Sequence, residues 1–87
     1  MPSVDSILPT LKSVLALELG LNLDPEQIAD DAVLVDGGLN LDSIVLVELI
    51  GILEGRFGFV FQDADLRMAT FASVEALADT IVRRLNG

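Results

Sequence analysis

The sequence predicts an all-α fold: a small bundle of three main helices, with one or two short helical turns and a long loop between the first and second main helices. Apolar residues recur at three- and four-residue spacing near both ends of the chain, and a third apolar segment begins after a glycine-containing loop. Helix-capping residues precede these segments. The 87 residues, 52% hydrophobic and 22% charged, fit a single domain spanning 1–87 with a small core.

The first helix is predicted to end near Gly20, a natural residue for a helix C-terminus. If Asp5 or Ser6 caps its N-terminus, Pro9 falls in the first turn, where the missing N–H costs little; an earlier start at Ser3 would predict a kink. Its inward-facing stripe comprises Val4, Ile7, Leu8, Leu11, Val14 and Leu15.

The connection from residue 21 to residue 41 is predicted to be a loop held down by apolar side chains. Within it, Asp24-Pro25-Glu26-Gln27 has the pattern of a helix cap, a proline at the first helical position and a capping-box partner, so a short turn is expected around Ile28. The alternation of residues 33–35 resembles a strand, but only residues 57–61 could pair with it, and we interpret it as loop.

The second helix is predicted to open at Asp42 or Ser43. Gly51 and Gly55 each cost about 1 kcal/mol relative to alanine inside a helix, which suggests close packing or a frayed end near Arg56. The side chains expected to face inward are Ile44, Val47, Ile50 and either Leu53 or Leu46, with Glu48 and Glu54 facing outward.

A brief turn and a last helix complete the chain. Asp63 is predicted to cap a turn through Asp65, Leu66 and Met68. Ser73 is predicted to cap the last helix, whose buried stripe comprises Val74, Leu77, Ala78, Ile81 and Leu85.

The composition excludes several classes of function. Without cysteine or histidine, disulfides, thiolate metal sites and the commonest general base are all missing, so we expect neither an enzyme nor a metal site. Asp63-Ala64-Asp65-Leu66-Arg67 fails as a calcium loop, because a cation stands at the third ligand position.

Charge and hydropathy limit the partners and the location. A net charge of −9 repels nucleic acid and attracts basic protein surfaces, although acidity also simply keeps a small apolar protein soluble. We expect no signal peptide after Met1, because a basic n-region and an uninterrupted apolar segment are both missing there. The longest apolar stretch, residues 44–53, is interrupted by Glu48 and too short to span a membrane. A cytoplasmic monomer without membrane insertion is expected.

The segment Gly37-Gly38-Leu39-Asn40-Leu41-Asp42-Ser43-Ile44 delivers an Asp-Ser pair to the start of a strongly apolar helix. Here the chain resembles the acyl carrier protein family, in which an Asp-Ser-Leu motif at the start of the second helix receives phosphopantetheine. Positions in register with the serine extend the resemblance across the chain: Glu48, Glu54, Phe57-Gly58 and Asp63-Ala64-Asp65.

The resemblance implies a non-catalytic carrier that holds acyl intermediates as thioesters on 4′-phosphopantetheine, attached to Ser43 covalently from coenzyme A. Asp42 would help to hold magnesium during the modification. The implied partners are a phosphopantetheinyl transferase and enzymes that load, transfer or condense acyl groups. Candidates for an acyl-chain lining are Ile44, Val47, Leu53, Phe59, Leu66 and Met68, for each of which an ordinary core role is the alternative.

The second helix departs from the fatty-acid-type pattern: Val45 and Leu46 follow Ile44 where acids are usual, and Arg56 replaces an acid. Because Val45, Leu46 and Ile52 cannot all point inward, at least one is expected to be exposed, which favours a discrete carrier of a polyketide or lipopeptide pathway over fatty-acid biosynthesis. The predicted partner-binding residues are Val45, Leu46, Glu48, Glu54, Asp63 and Asp65. An aminoacyl, peptidyl or D-alanyl carrier and a cofactor-free helical interaction module remain alternatives.

Overall fold

The structure, a computed structural model, describes residues 2–21, 23–35 and 37–86, and Met1, Asn22, Asp36 and Gly87 lie outside the described residues. Three α-helices form a small bundle: α1 (Val4–Ser13), α2 (Ser43–Phe57) and α3 (Val74–Leu85). A π-helical turn, Val14–Glu18, extends α1, and short 3₁₀ turns lie at Pro25–Gln27 and Asp63–Asp65. The described ranges contain no strand, so the predicted all-α bundle is confirmed.

Helix α1 begins earlier than predicted. Ser3 is its N-cap, and its hydroxyl accepts a hydrogen bond from the backbone N–H of Ser6, whose own hydroxyl accepts one from the N–H of Ser3. This capping box satisfies two N–H groups at once, which favours Ser3 over the expected caps Asp5 and Ser6. Pro9 therefore lies inside the helix.

The core lies between α1, the π-helical turn and the inward faces of α2 and α3. Helix α1 packs against α3, and the π-helical turn packs against α2. The fully buried large side chains come from all four elements and from the long loop: Leu11, Val14, Leu15, Leu34, Leu49, Leu53, Val74, Leu77 and Ile81. The buried stripe predicted for α3 is confirmed except at Leu85, which is half-buried.

The long loop is held to the bundle by its apolar residues, as predicted. Ile28, Leu34 and Leu41 are buried, and the backbone N–H of Val74 donates to the carbonyl oxygen of Ala32 at 2.9 Å. Residues 33–35 belong to this loop. The connection is thus fixed at several points between α1 and α2, which gives the start of α2 a defined position.

The Asp63–Asp65 turn differs from its prediction in the residue that caps it. Gln62 precedes the turn as its N-cap, and the Asp65 carboxylate accepts a hydrogen bond from the N–H of Gln62 at 2.9 Å. Asp63 is the first residue of the turn. The acid that fixes this turn is therefore Asp65.

Candidate functional site

A tight turn immediately precedes α2. The N–H of Leu39 donates to the carbonyl oxygen of Val33 at 2.8 Å, and the N–H of Leu41 donates to that of Leu34 at 2.9 Å. Within this turn, Gly38 lies so close to Val33 that a Cβ atom on Gly38 would be 1.9 Å from the carbonyl oxygen of Val33. Only glycine fits without moving the backbone.

Asn40 is a left-handed residue of the same turn, as is Gly37, whose φ is 89°. The φ of Asn40 is 56°, and its side-chain Oδ1 accepts a hydrogen bond from the N–H of Gly37 at 3.2 Å. Asparagine adopts this conformation more readily than most residues. Sequence reasoning assigned no role to Gly38 or Asn40, although glycines followed by asparagine are typical of turns.

Asp42 and Ser43 stand where α2 begins. Asp42 is the N-cap, and its Oδ1 accepts a hydrogen bond from the N–H of Val45 at 2.9 Å. Ser43 is the first helical residue, and its side chain is exposed to solvent. The predicted opening of the helix at Asp42 or Ser43 is confirmed.

The start of α2 favours negative charge. The N–H groups of Ser43 and Ile44 have no hydrogen-bond partner among the described residues, whereas those of Val45 and Leu46 are taken by the side chain and the carbonyl oxygen of Asp42. Unpaired N–H groups and the positive end of the helix dipole stabilise an anion at this position. A phosphate attached to the Ser43 hydroxyl would lie beside them.

The exposed face of α2 is not the predicted one. Ile44 and Val47, expected to point inward, are 78% and 69% exposed. Leu53, one of the two alternatives expected to face inward, is fully buried, and so is Leu49, for which no orientation was predicted. Nearly every position of α2 is apolar, so the 3.6-residue period alone does not choose a face.

Two further expectations for α2 differ from the structure. Val45, Leu46 and Ile52 are all half-buried, although at least one was expected to be exposed. At Gly51 and Gly55 a Cβ would have no neighbouring atom within 4 Å, so neither glycine packs closely within the chain. The helix ends at Phe57, next to Arg56, where an end was expected, and its C-cap is Gly58 with a φ of 71°.

Two of the acids predicted to bind partners are used inside the fold. The Glu54 carboxylate accepts a hydrogen bond from the N–H of Phe61 at 2.9 Å, which fixes the chain after α2. Asp65 is only 8% exposed, and its two oxygens accept hydrogen bonds from the guanidinium of Arg84 at 2.7 and 2.8 Å. Both carboxylates are thus engaged within the fold.

Arg84 also affects the ionisation of the Asp65 carboxyl group. Its hydrogen bonds hold the pKa of the Asp65 carboxyl below its usual value, against the opposing effect of burial. The pair joins α3 to the Asp63–Asp65 turn as a charge-assisted contact. Glu48 and Asp63, the other two predicted acids, are exposed.

The residues proposed as an acyl-chain lining do not enclose a cavity together. Leu53 is buried and Phe59 is half-buried, but Ile44, Val47, Leu66 and Met68 are exposed. Four of the six thus belong neither to the core nor to a closed lining, and they add apolar area to the surface.

Comparison with known proteins gives three concordant matches. Residues 9–81 match the family model described as "Phosphopantetheine attachment site". An acyl carrier protein from Thermotoga maritima is 38% identical over 66 residues, which cover 76% of this chain and 78% of that protein. The solution NMR structure of a holo acyl carrier protein from Nitrosomonas europaea superposes with a TM-score of 0.81 at 26% identity, covering 93% of this chain and 98% of the other.

Proposed function

Because the chain belongs to the acyl carrier protein family, we propose that Ser43 carries its prosthetic group and that the chain holds acyl intermediates as thioesters on that arm. Proteins of this family are carriers and not catalysts, and their prosthetic group is covalently attached 4′-phosphopantetheine. The observation that carries the proposal is the exposed hydroxyl of Ser43 at the first residue of α2.

The residues around Ser43 fit this group. The attached phosphodiester would be stabilised by the N–H groups of Ser43 and Ile44, which take no other partner in the described ranges. The chain has no cysteine, and the arm supplies the thiol on which the thioester forms. The protein's own contribution is to present that arm from a fixed helix end.

We place Asp42 in the modification step. Its Oδ1 caps the helix, while its Oδ2 takes no hydrogen bond from the described part of the chain and the side chain is exposed. An exposed carboxylate oxygen is a ligand that magnesium prefers. Asp42 can thus hold the helix start and bind the magnesium ion used by the transferase.

The test is incubation of the purified chain with coenzyme A, magnesium and a broad-specificity phosphopantetheinyl transferase, followed by intact-mass measurement. We expect the wild type to gain one phosphopantetheine and Ser43→Ala to gain none. Ser3→Ala is the matched control, because Ser3 is also an exposed serine at a helix start, and it should be loaded normally. Loading of Ser43→Ala, or none in the wild type, would refute the proposal.

For the pathway, we infer a discrete carrier for polyketide or lipopeptide biosynthesis. The apolar exposed residues Ile44 and Val47 on α2 support this, since a partner matched to them has an apolar contact surface. A second departure from carriers of the fatty-acid type is Arg56, at a position where those carriers commonly have an acid. Arg56 is exposed and forms an ion pair with Glu18.

The inference on the pathway predicts the cargo. Presenting the loaded chain with fatty-acyl, malonyl and aminoacyl donors and their loading enzymes should give acyl thioesters in preference to aminoacyl ones. The intact mass of the protein from its native host would report the cargo directly. The inference would be contradicted if the enzymes of a fatty-acid synthase used this chain as efficiently as they use a housekeeping carrier.

A further inference from the structure

A small cavity lies between α3 and residues 66–72, the segment that leads into this helix. Its volume is about 160 Å³. The residues of α3 that line it follow one another at three- and four-residue spacing and so share one face of the helix: Ala76, Asp79, Thr80 and Arg83. The opposite wall is made by Arg67, Ala69 and Thr70. We call this cavity the α3 pocket.

The segment that forms this opposite wall is anchored at both ends. Just before it, the carboxylate of Asp65 is bound by the guanidinium of Arg84 on α3. Just after it, the N–H of Val74 donates to the carbonyl oxygen of Ala32 at 2.9 Å. Because the two walls are held in place by the fold, little conformational freedom is lost when a ligand enters between them.

The hydroxyl of Thr70 is available to such a ligand. Thr70 is only 5% exposed, and its side chain makes no hydrogen bond with the described part of the chain. In that part of the chain no fully enclosed side-chain nitrogen or oxygen lacks a partner, so the hydroxyl is not sealed in the core and opens into the pocket that Thr70 lines. A nearly buried hydroxyl without a partner costs free energy, which a ligand that accepts its hydrogen bond would recover.

Two guanidinium groups line the same pocket. Arg67 is exposed, and its side chain forms no ion pair or hydrogen bond within the described ranges. Arg83 is oriented by the carboxylate of Asp79, 3.2 Å from its Nε, and by the hydroxyl of Thr80, to which its Nη2 donates at 3.3 Å. The Nη1 of Arg83 has no hydrogen-bond partner among the described residues, so both arginines keep N–H groups for a ligand.

These donors select an anion with several oxygen atoms. A planar carboxylate is satisfied by the two parallel N–H groups of one guanidinium, whereas the four oxygens of a phosphate group can accept hydrogen bonds from both walls at once. Asp79 opposes an anion here. Its pair with Arg83 is weak, however, because the two side chains are 60% and 63% exposed and water competes for both.

We propose that the α3 pocket binds a phosphate group, either as the free anion or at the end of a small phosphomonoester, and that Arg67, Arg83 and the hydroxyl of Thr70 donate to it. The site lies on α3 and the segment before it, so it goes beyond the carrier function of Ser43 and does not depend on it. In a chain of net charge −9, the pocket is a local site for an anion that the chain as a whole repels.

The test is a titration of the isotope-labelled, unmodified chain with inorganic phosphate at low ionic strength and constant pH, followed by backbone amide chemical shifts. We expect saturable shifts centred on residues 67–70 and 76–83, with a Kd of about 1–10 mM. Glycerol 3-phosphate is titrated in parallel. Binding with a similar Kd would show that the site accepts phosphomonoesters, and binding of inorganic phosphate alone would restrict it to the free anion.

Variants assign the ligands. Arg67→Gln and Arg83→Gln should each raise the Kd for phosphate about tenfold, because each removes charged donors. Asp79→Asn should lower the Kd about threefold, because it removes the opposing charge. Arg56→Gln is the matched control: it removes the same charge from α2 and should leave the Kd within about twofold of the wild-type value.

Thr70→Val tests the hydroxyl itself. Valine has nearly the same shape as threonine and lacks the hydroxyl, so the variant should bind phosphate about threefold more weakly. Without phosphate, its thermal midpoint should equal or exceed that of the wild type, because no hydrogen bond within the fold is lost. A lower midpoint would mean that the hydroxyl has a partner inside the protein, which contradicts the proposal.

Three other outcomes would overturn the phosphate site: shifts that do not saturate or are spread over the whole surface, acetate binding with the same Kd as phosphate, or an effect of Arg56→Gln as large as that of Arg67→Gln. None of these outcomes bears on the loading of Ser43, which the mass measurement tests separately. Failure of Ser43 loading would likewise leave the phosphate titration unaffected.

Discussion

Replacing Gly51 and Gly55 by alanine should stabilise the protein. Gly51 is the ninth of the fifteen residues of α2, and Gly55 is the third from its end. At both positions a Cβ has open space, so the added methyl brings no clash. The gain comes from helix propensity: fewer conformations are available to alanine than to glycine in the unfolded chain.

The expected size follows from these positions. Gly51→Ala, in the helix interior, should add about 0.8–1 kcal/mol to the free energy of unfolding, and Gly55→Ala, in the last turn, about half as much. The double variant should therefore gain roughly 1–1.5 kcal/mol. For a domain of this length, that raises the thermal midpoint by about 5–10 °C.

The assay is urea and thermal unfolding of the unmodified protein followed by circular dichroism. Gly58→Ala is the internal control: Gly58 ends the same helix with a φ of 71°, which costs an alanine about 1 kcal/mol, so this variant should be less stable than the wild type. If the double variant is no more stable than the wild type, Gly51 or Gly55 has a close neighbour within the fold, and the open space found at both positions is refuted.

Three further predictions test the site and the core. Gly38→Ala should slow loading of Ser43 several-fold and destabilise the chain, because the carbonyl oxygen of Val33 leaves no room for a Cβ; unchanged loading kinetics and stability would contradict this. Leu53→Ala should lower the free energy of unfolding, measured by urea titration, by about 2–5 kcal/mol, since the side chain is fully buried. A loss below about 1 kcal/mol would mean that the core closes around the gap. Asp65→Asn should destabilise the protein at neutral pH. Because Arg84 lowers the folded-state pKa of Asp65, the difference in stability between the wild type and the variant should persist above about pH 4 and shrink as the pH falls further. A difference in thermal midpoint that does not change with pH would refute this.

Local signals in the sequence were sufficient to predict the three helices and the position of Ser43 at the start of α2. Caps act over three residues, and Asp42, Ser73 and Gln27 make the short-range hydrogen bonds that their positions imply. The start of α1 shows the limit of the same reasoning. Ser3 and Ser6 form a reciprocal pair that outweighs the preference of Pro9 for the first turn.

The orientation of α2 depends on the rest of the molecule. Its residues are apolar on nearly all sides, so several rotations would bury comparable area when the helix is considered alone. The π-helical turn after α1 packs against α2 and decides which face is covered. That packing buries Leu49 and Leu53 and leaves Ile44 and Val47 outside.

Long-range partners also decide which acids are available. Asp65 and Arg84 are 19 residues apart in sequence, and the N–H group that binds Glu54 belongs to Phe61, seven residues later. Nothing in the local sequence distinguishes these acids from Glu48, which stays exposed. Counting acids in register with a family therefore overestimates the acidic surface that a partner meets.

Most basic side chains of the chain are paired with acids of the same chain. Four of the five basic residues form ion pairs in the described ranges, and three of those pairs join separate parts of the fold: Lys12 with Asp30, Arg56 with Glu18, and Arg84 with Asp65. The basic residues are thus largely neutralised by the chain's own acids, and the excess negative charge remains to attract basic partners from a distance.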